Sequence, residues 1–142
     1  MAGRRRLREE IRQAERMARA VPNARQRAAA LTDLAVQVAI GAGDIAEAER
    51  IANSVTYEDQ VVQNGRDFSV RVLAEQLVAV NAREAERIAL TIRTDHERDE
   101  AFANMARTLA TTDKRTAKRL IEHIGMAPVK ESMLHDLAKG RL

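Results

Sequence analysis

Apolar residues fall along this chain at intervals of three and four, and one five-residue pattern returns four times. Ala48-Glu49-Arg50-Ile51-Ala52 has a copy 34 residues earlier, Ala14-Glu15-Arg16-Met17-Ala18, and another 37 residues later, Ala85-Glu86-Arg87-Ile88-Ala89. A fourth, Ala117-Lys118-Arg119-Leu120-Ile121, follows after 32 more. Three or four residues past the large apolar residue of each copy comes another: Val21, Val55, Ile92 and Ile124. Self-similarity at such a period marks an array of stacked helices, in which no unit buries its apolar face alone.

The same spacing predicts the elements. Leu7, Ile11, Ala14, Met17, Ala18 and Val21 share one face of a helix over residues 4–21, which Pro22 ends. Asn23 with Gln26, Asp44 with Glu47, Thr56 with Asp59, Asn81 with Glu84 and Thr94 with Glu97 each read as a cap with its box partner three residues on. Thr112 or Asp113 opens a seventh helix, and an eighth begins near Pro128, a residue suited to the first helical turn. The expected organisation is one domain over 1–142. It comprises an orphan helix at 4–21, helix pairs at about 24–55, 57–92 and 95–124, and a final helix at about 127–139.

The helices alternate in kind. Those with the five-residue pattern are short; the others carry a large-plus-small pair, at Leu34-Ala35, Leu73-Ala74, Met105-Ala106 and Leu137-Ala138. Met17 to Leu34, Ile88 to Met105 and Leu120 to Leu137 each span 17 residues, whereas Ile51 to Leu73 spans 22. The second copy therefore holds extra residues, placed within 58–67. There Asn64-Gly65 reads as a turn or a kink, and the extra length as a longer helix or a surface insertion.

Composition supports an all-α chain. Hydrophobic residues make up 45% but aromatics only 2% (Tyr57, Phe68 and Phe102), so the core must be built from Ala, Leu, Val, Ile and Met. Two Pro and six Gly supply little turn chemistry for a β fold. The net charge of +3 comes from interleaved signs, which suits solvated helix faces. There is no apolar run long enough to span a membrane, and the arginines at 4–6 lead into no apolar segment of a secretory signal. The absence of Cys excludes disulfides and thiolate metal sites and is compatible with the cytoplasm.

The segment Leu31-Thr-Asp-Leu-Ala-Val-Gln-Val-Ala-Ile-Gly-Ala-Gly-Asp-Ile-Ala-Glu-Ala-Glu-Arg-Ile-Ala52 resembles the degenerate, alanine-rich tetratricopeptide-type repeats of many bacterial proteins. In those repeats Leu-Ala and a Gly-Asp followed by Ala mark the two helices of a pair; here they fall at Leu34-Ala35 and at Asp44 with Ala48. The resemblance extends over about residues 8–139, without the family's aromatics early in the first helix. It implies an α-α superhelix, a solenoid of about eight antiparallel helices. It also implies a scaffold that binds partner proteins or peptides on its concave surface; the residues themselves lead to the expectation of no catalysis, no cofactor and no metal.

Candidate chemistry is sparse. His96, His123 and His135 have no metal-ligand spacing; His96 reads as surface, His123 as partly buried or exposed beside a helix end, and His135 as a residue that could face a groove. Gly41-Ala42-Gly43 stops a helix and lacks the lysine of a phosphate loop. Ser54, Ser69 and Ser132 have no flanking base, and most carboxylates have Arg or Lys three or four residues away. Two basic clusters, Arg4, Arg5, Arg6, Arg8 and Arg12, and Lys114, Arg115, Lys118 and Arg119, make nucleic-acid binding the alternative, opposed by the scarcity of stacking aromatics.

If Leu34, Leu73, Met105 and Leu137 are equivalent, the inward positions are Thr32, Val36, Arg71, Glu75, Ala103, Arg107, His135 and Lys139. Arg71, Arg107 and Lys139 then form a basic stripe suited to an acidic peptide or a C-terminal carboxylate. Self-association through the terminal helices, by way of Leu7, Ile11, Met133 and Leu134, is a further expectation.

Overall fold

A computed structural model describes residues 2–56 and 65–142. Within them lie eight α-helices and no strand: α1 (Ala2–Arg19), α2 (Ala24–Ile40), α3 (Ile45–Asn53), α4 (Gly65–Leu77), α5 (Ala82–Ala89), α6 (Asp95–Leu109), α7 (Lys114–Ile121) and α8 (Ala127–Ala138). The start of the expected helix at 57–80, its Thr56/Asp59 box and most of the extra residues fall outside the described residues. Gly65 itself belongs to α4.

Three of the expected boxes, at Asn23, Asp44 and Asn81, form by half, through the cap side chain alone. Asn23, Asp44, Asn81 and Asp113 accept from the backbone N–H three residues on, at 3.0–3.2 Å. The reciprocal bond has no donor to satisfy at three of these positions. The N–H of Asp44 already donates to Val38 O, that of Asn81 to Leu77 O and that of Asp113 to Leu109 O. One residue thus closes the preceding helix with its backbone and opens the next with its side chain. Glu47 and Glu84 instead bind Arg50 and Arg87, three residues on. Thr94 takes the extended N-cap conformation without a side-chain cap bond. In the turn after α2, Gly43 has φ +69°, the left-handed conformation that favours glycine.

The chain divides into two compact units, Met1–Ser69 and Val70–Leu142. In the first, α2 packs on both α1 and α3; in the second, α6 packs on α5 and α7, and α7 on α8. The core is built as the repeat requires. Ala48, Ile51 and Ala52, then Ala85, Ile88 and Ala89, then Ala117, Leu120 and Ile121 are each 0% exposed. Each five-residue pattern also leaves its helix in the same way. Val21 N donates to Ala18 O, Val55 N to Ala52 O, Ile92 N to Ala89 O and Ile124 N to Ile121 O, at 3.0–3.3 Å. This tightened last turn swings the following apolar residue inward, so that Val55, Ile92 and Ile124 are buried. The first copy departs from the others: Met17, counterpart of Ile51, is 67% exposed.

An offset of 71 residues relates α1–α2 to α5–α6, and one side-chain-to-backbone bond recurs at that offset. Arg27 Nη1 donates to Val21 O at 3.0 Å, and Arg98 Nη1 to Ile92 O at 3.1 Å. In each case an arginine four residues past the cap reaches back to fasten the end of the helix before it.

Candidate interaction surface

A polar network in the second unit joins α4 to α6. Arg71 Nε donates to Glu97 Oε2 at 2.6 Å, and Arg71 Nη1 to Glu75 Oε1 at 3.0 Å. Asn104 Nδ2 donates to the same Glu75 oxygen at 2.9 Å, and Arg107 Nη1 to Asn104 Oδ1 at 2.9 Å. Helical spacing explains the order: Arg71 and Glu75 are one turn apart on α4, Asn104 and Arg107 one turn apart on α6. Burial opposes the charge on Arg71, but the carboxylates of Glu75 and then Glu97 outweigh it and raise its pKa. Its charge is fixed and largely neutralised.

This placement changes the expected basic stripe. Arg71 is half-buried between two carboxylates and so contributes no open positive charge. Glu75 accepts from two helices. Arg107, His135 and Lys139 are exposed, and Val36 is half-buried. Thr32 presents nothing to a partner. It is 4% exposed, donates to Ala28 O at 2.8 Å and lies 2.6 Å from Ser69 Oγ. With the Thr32 hydroxyl proton committed to Ala28, Ser69 is the donor in that pair. Ala103 is buried as well. The structure therefore brings together Arg71, Glu75 and Arg107 from the expected set. It adds Glu97 and Asn104, whose only sequence signals were a cap-box acid and a polar residue beside Met105.

A second polar system recurs in both units. In the first, Arg50 of α3 donates to Glu15 of α1 through both terminal nitrogens, at 2.6 and 3.4 Å, and also holds Glu47. Arg19 adds 2.9 Å bonds to Glu15 and to Ser54 Oγ. In the second, Arg119 Nε of α7 donates to Glu86 Oε2 of α5 at 2.9 Å. The glutamate of one five-residue pattern thus receives the arginine of the next. The bond from Arg50 pulls Glu15 below the usual carboxylate range against the cost of burial, with Arg19 assisting. Glu47 is lowered chiefly by the same Arg50.

The remaining candidates occupy structural positions. His96 is exposed. His123 is half-buried and stacks on Phe102, with ring centroids 4.6 Å apart. Asp99, one turn before Phe102 on α6, caps the approach to α8. Its carboxylate accepts from Gly125 N at 2.9 Å and Met126 N at 3.3 Å. Among the described residues no His/Cys/Asp/Glu group is arranged to hold a metal ion, and no helix is long and apolar enough to cross a membrane. Arg4, Arg5, Arg8 and Arg12 lie along one open side of α1, with Glu9 among them.

Compared with protein-family profiles, with curated proteins and with solved structures, the chain finds no match.

Proposed function

We propose that the chain is a non-catalytic interaction module, a helical-repeat array of tetratricopeptide type that holds a partner protein or peptide. The observation that carries this reading is the identical burial of three successive five-residue patterns, each closed by the same tightened turn. Such units stack because each needs its neighbour to cover its apolar face. The broad polar surfaces left over serve recognition. In the second unit, the network of Arg71, Glu75, Glu97 and Asn104 is satisfied and held by two helices, so it offers a rigid polar platform. Arg107 is its exposed edge. A partner with a carboxylate fits there, since Arg107 retains donors beyond the one given to Asn104.

The test is capture of a partner from the native cell by the wild-type chain and by Arg107→Glu. The expected result is a defined partner lost on charge reversal, with circular dichroism and thermal midpoint unchanged. Capture that ignores Arg107→Glu, or no specific partner at all, overturns the reading.

A further inference from the structure

The α1–α2 face of the first unit is an uncovered apolar groove. Ala14, Met17 and Ala18 of α1 and Val21 just past it line it together with Leu34 and Asp33 of α2. The 71-residue register identifies its counterpart in the second unit. Met17 corresponds to Ile88, Leu34 to Met105 and Asp33 to Asn104. Ile88 and Met105 are 0% exposed, against 67% for Met17. In the second unit the counterpart face has an occupant, because Glu75 of α4 is bonded to Asn104 and Arg71 of α4 to Glu97. Helix α4 therefore shows the kind of occupant that the open groove can receive: a helix whose polar side chains pair with those at the positions of Glu97 and Asn104.

The charges then choose among such helices. Asp33 replaces Asn104, so a glutamate in the position of Glu75 would be repelled and a cation is required. Aligned on its Leu137-Ala138 pair with Leu73-Ala74, α8 has Lys139 where α4 has Glu75. It has His135 where α4 has Arg71, and the residue that would face it, Gln26, replaces Glu97. His135 and Lys139 are exposed, and neither Asp33 nor Lys139 has a charged partner among the described residues.

We propose that the α1–α2 groove receives α8 of a second copy of this chain, with Lys139 of one copy paired to Asp33 of the other. The inference rests on the register and the charges alone and is independent of what the Arg107 edge binds. The contact is heterologous, since different surfaces meet, and it can propagate. One substitution keeps it weak. Lys118 stands where Glu15, Glu49 and Glu86 stand in the other copies, so it faces Arg16 of the next chain instead of accepting from it.

Sedimentation of the full chain at concentrations up to about 1 mM tests this. The wild type should associate with rising concentration. Asp33→Lys and Lys139→Asp, both at exposed sites, should each weaken association about fivefold to tenfold, the size of one exposed ion pair turned into a repulsion. An equimolar mixture of the two single variants should regain wild-type association, because each carries the other's complement. Lys118→Glu should tighten it about fivefold. A chain that stays monomeric throughout overturns the proposal. So does association that Met17→Glu abolishes but Lys139→Asp leaves untouched, which would assign the groove to another occupant. A mixture that fails to recover overturns it as well.

Discussion

Truncating the large apolar residue of each five-residue pattern should separate three copies from the first. Ile51, Ile88 and Leu120 are each 0% exposed, whereas Met17 is 67% exposed. Replacing Ile88 with alanine removes three buried carbons, about 2.4 kcal/mol at about 0.8 kcal/mol each. The cavity adds to this, because the neighbours Ala85 and Ala89 are too small to move in and fill it, and the total comes to about 3–4 kcal/mol. Ile51→Ala and Leu120→Ala should cost the same within about 1 kcal/mol, since equivalent burial means equivalent loss. Met17→Ala should cost less than about 0.5 kcal/mol. Urea unfolding followed by circular dichroism reads these differences as midpoint shifts at constant slope. In a thermal scan the buried truncations should lower the midpoint by about 10 °C. A loss above about 1.5 kcal/mol for Met17→Ala would refute the separation of the first copy, and one below about 1 kcal/mol for Ile88→Ala would refute the buried role of the other three.

Thr32→Val leaves the buried Ser69 hydroxyl without its acceptor and should cost about 1–2 kcal/mol; adding Ser69→Ala should recover part of that loss, a coupling that a double-mutant cycle measures. Asp99→Ala strips the acceptor from Gly125 and Met126 and should cost about 1 kcal/mol, with faster hydrogen exchange in the first turn of α8 and little change in α2. Acid should loosen the first unit through Glu15. Its folded pKa is depressed, chiefly by Arg50, so its contribution is complete above the ordinary value of 4.5 and is lost as pH falls through the lowered folded value. Glu15→Gln should therefore destabilise by about 1 kcal/mol at neutral pH and flatten the acid limb of the stability curve.

The apolar spacing made the helices and their caps legible, because both depend on residues within one turn of each other. Asn23, Asp44 and Asn81 cap as their sequence context suggests. The fate of the box glutamates was not legible. Whether Glu47 turns back to its cap or forward to Arg50 depends on what the cap's own N–H does, and the end of the previous helix decides that. The pairing of Arg71, one member of the expected basic stripe, was not legible for a similar reason. A helical wheel places Arg71 on a face, but Glu97, which neutralises it, lies 26 residues away on another helix. Likewise nothing near Asp99 marks it as the cap of a segment 26 and 27 residues downstream. Periodicity specifies faces; the reach of long side chains between helices is a tertiary fact.

The glutamate–arginine contacts between successive patterns do a different job from the apolar core. The side chains of Arg50 and Arg119 are 50% and 54% exposed, so each pair adds at most about 1 kcal/mol. That is small beside a buried isoleucine, and the contacts do not hold the helices together. Their value is in register. Ala, Glu, Arg and Ile occupy four successive positions, so α3 sliding along α1 by one turn would take Arg50 away from Glu15 and Ile51 from its buried position together. Rotating the helix to rescue the ion pair would expose Ile51, and rotating it to bury Ile51 would break the pair. Only one alignment satisfies both, and it is the one in which the tightened turn delivers Val55 to the core. A small alanine-rich core, with few large side chains to interlock, has special need of such a device, because alanine faces slide past one another with little steric penalty.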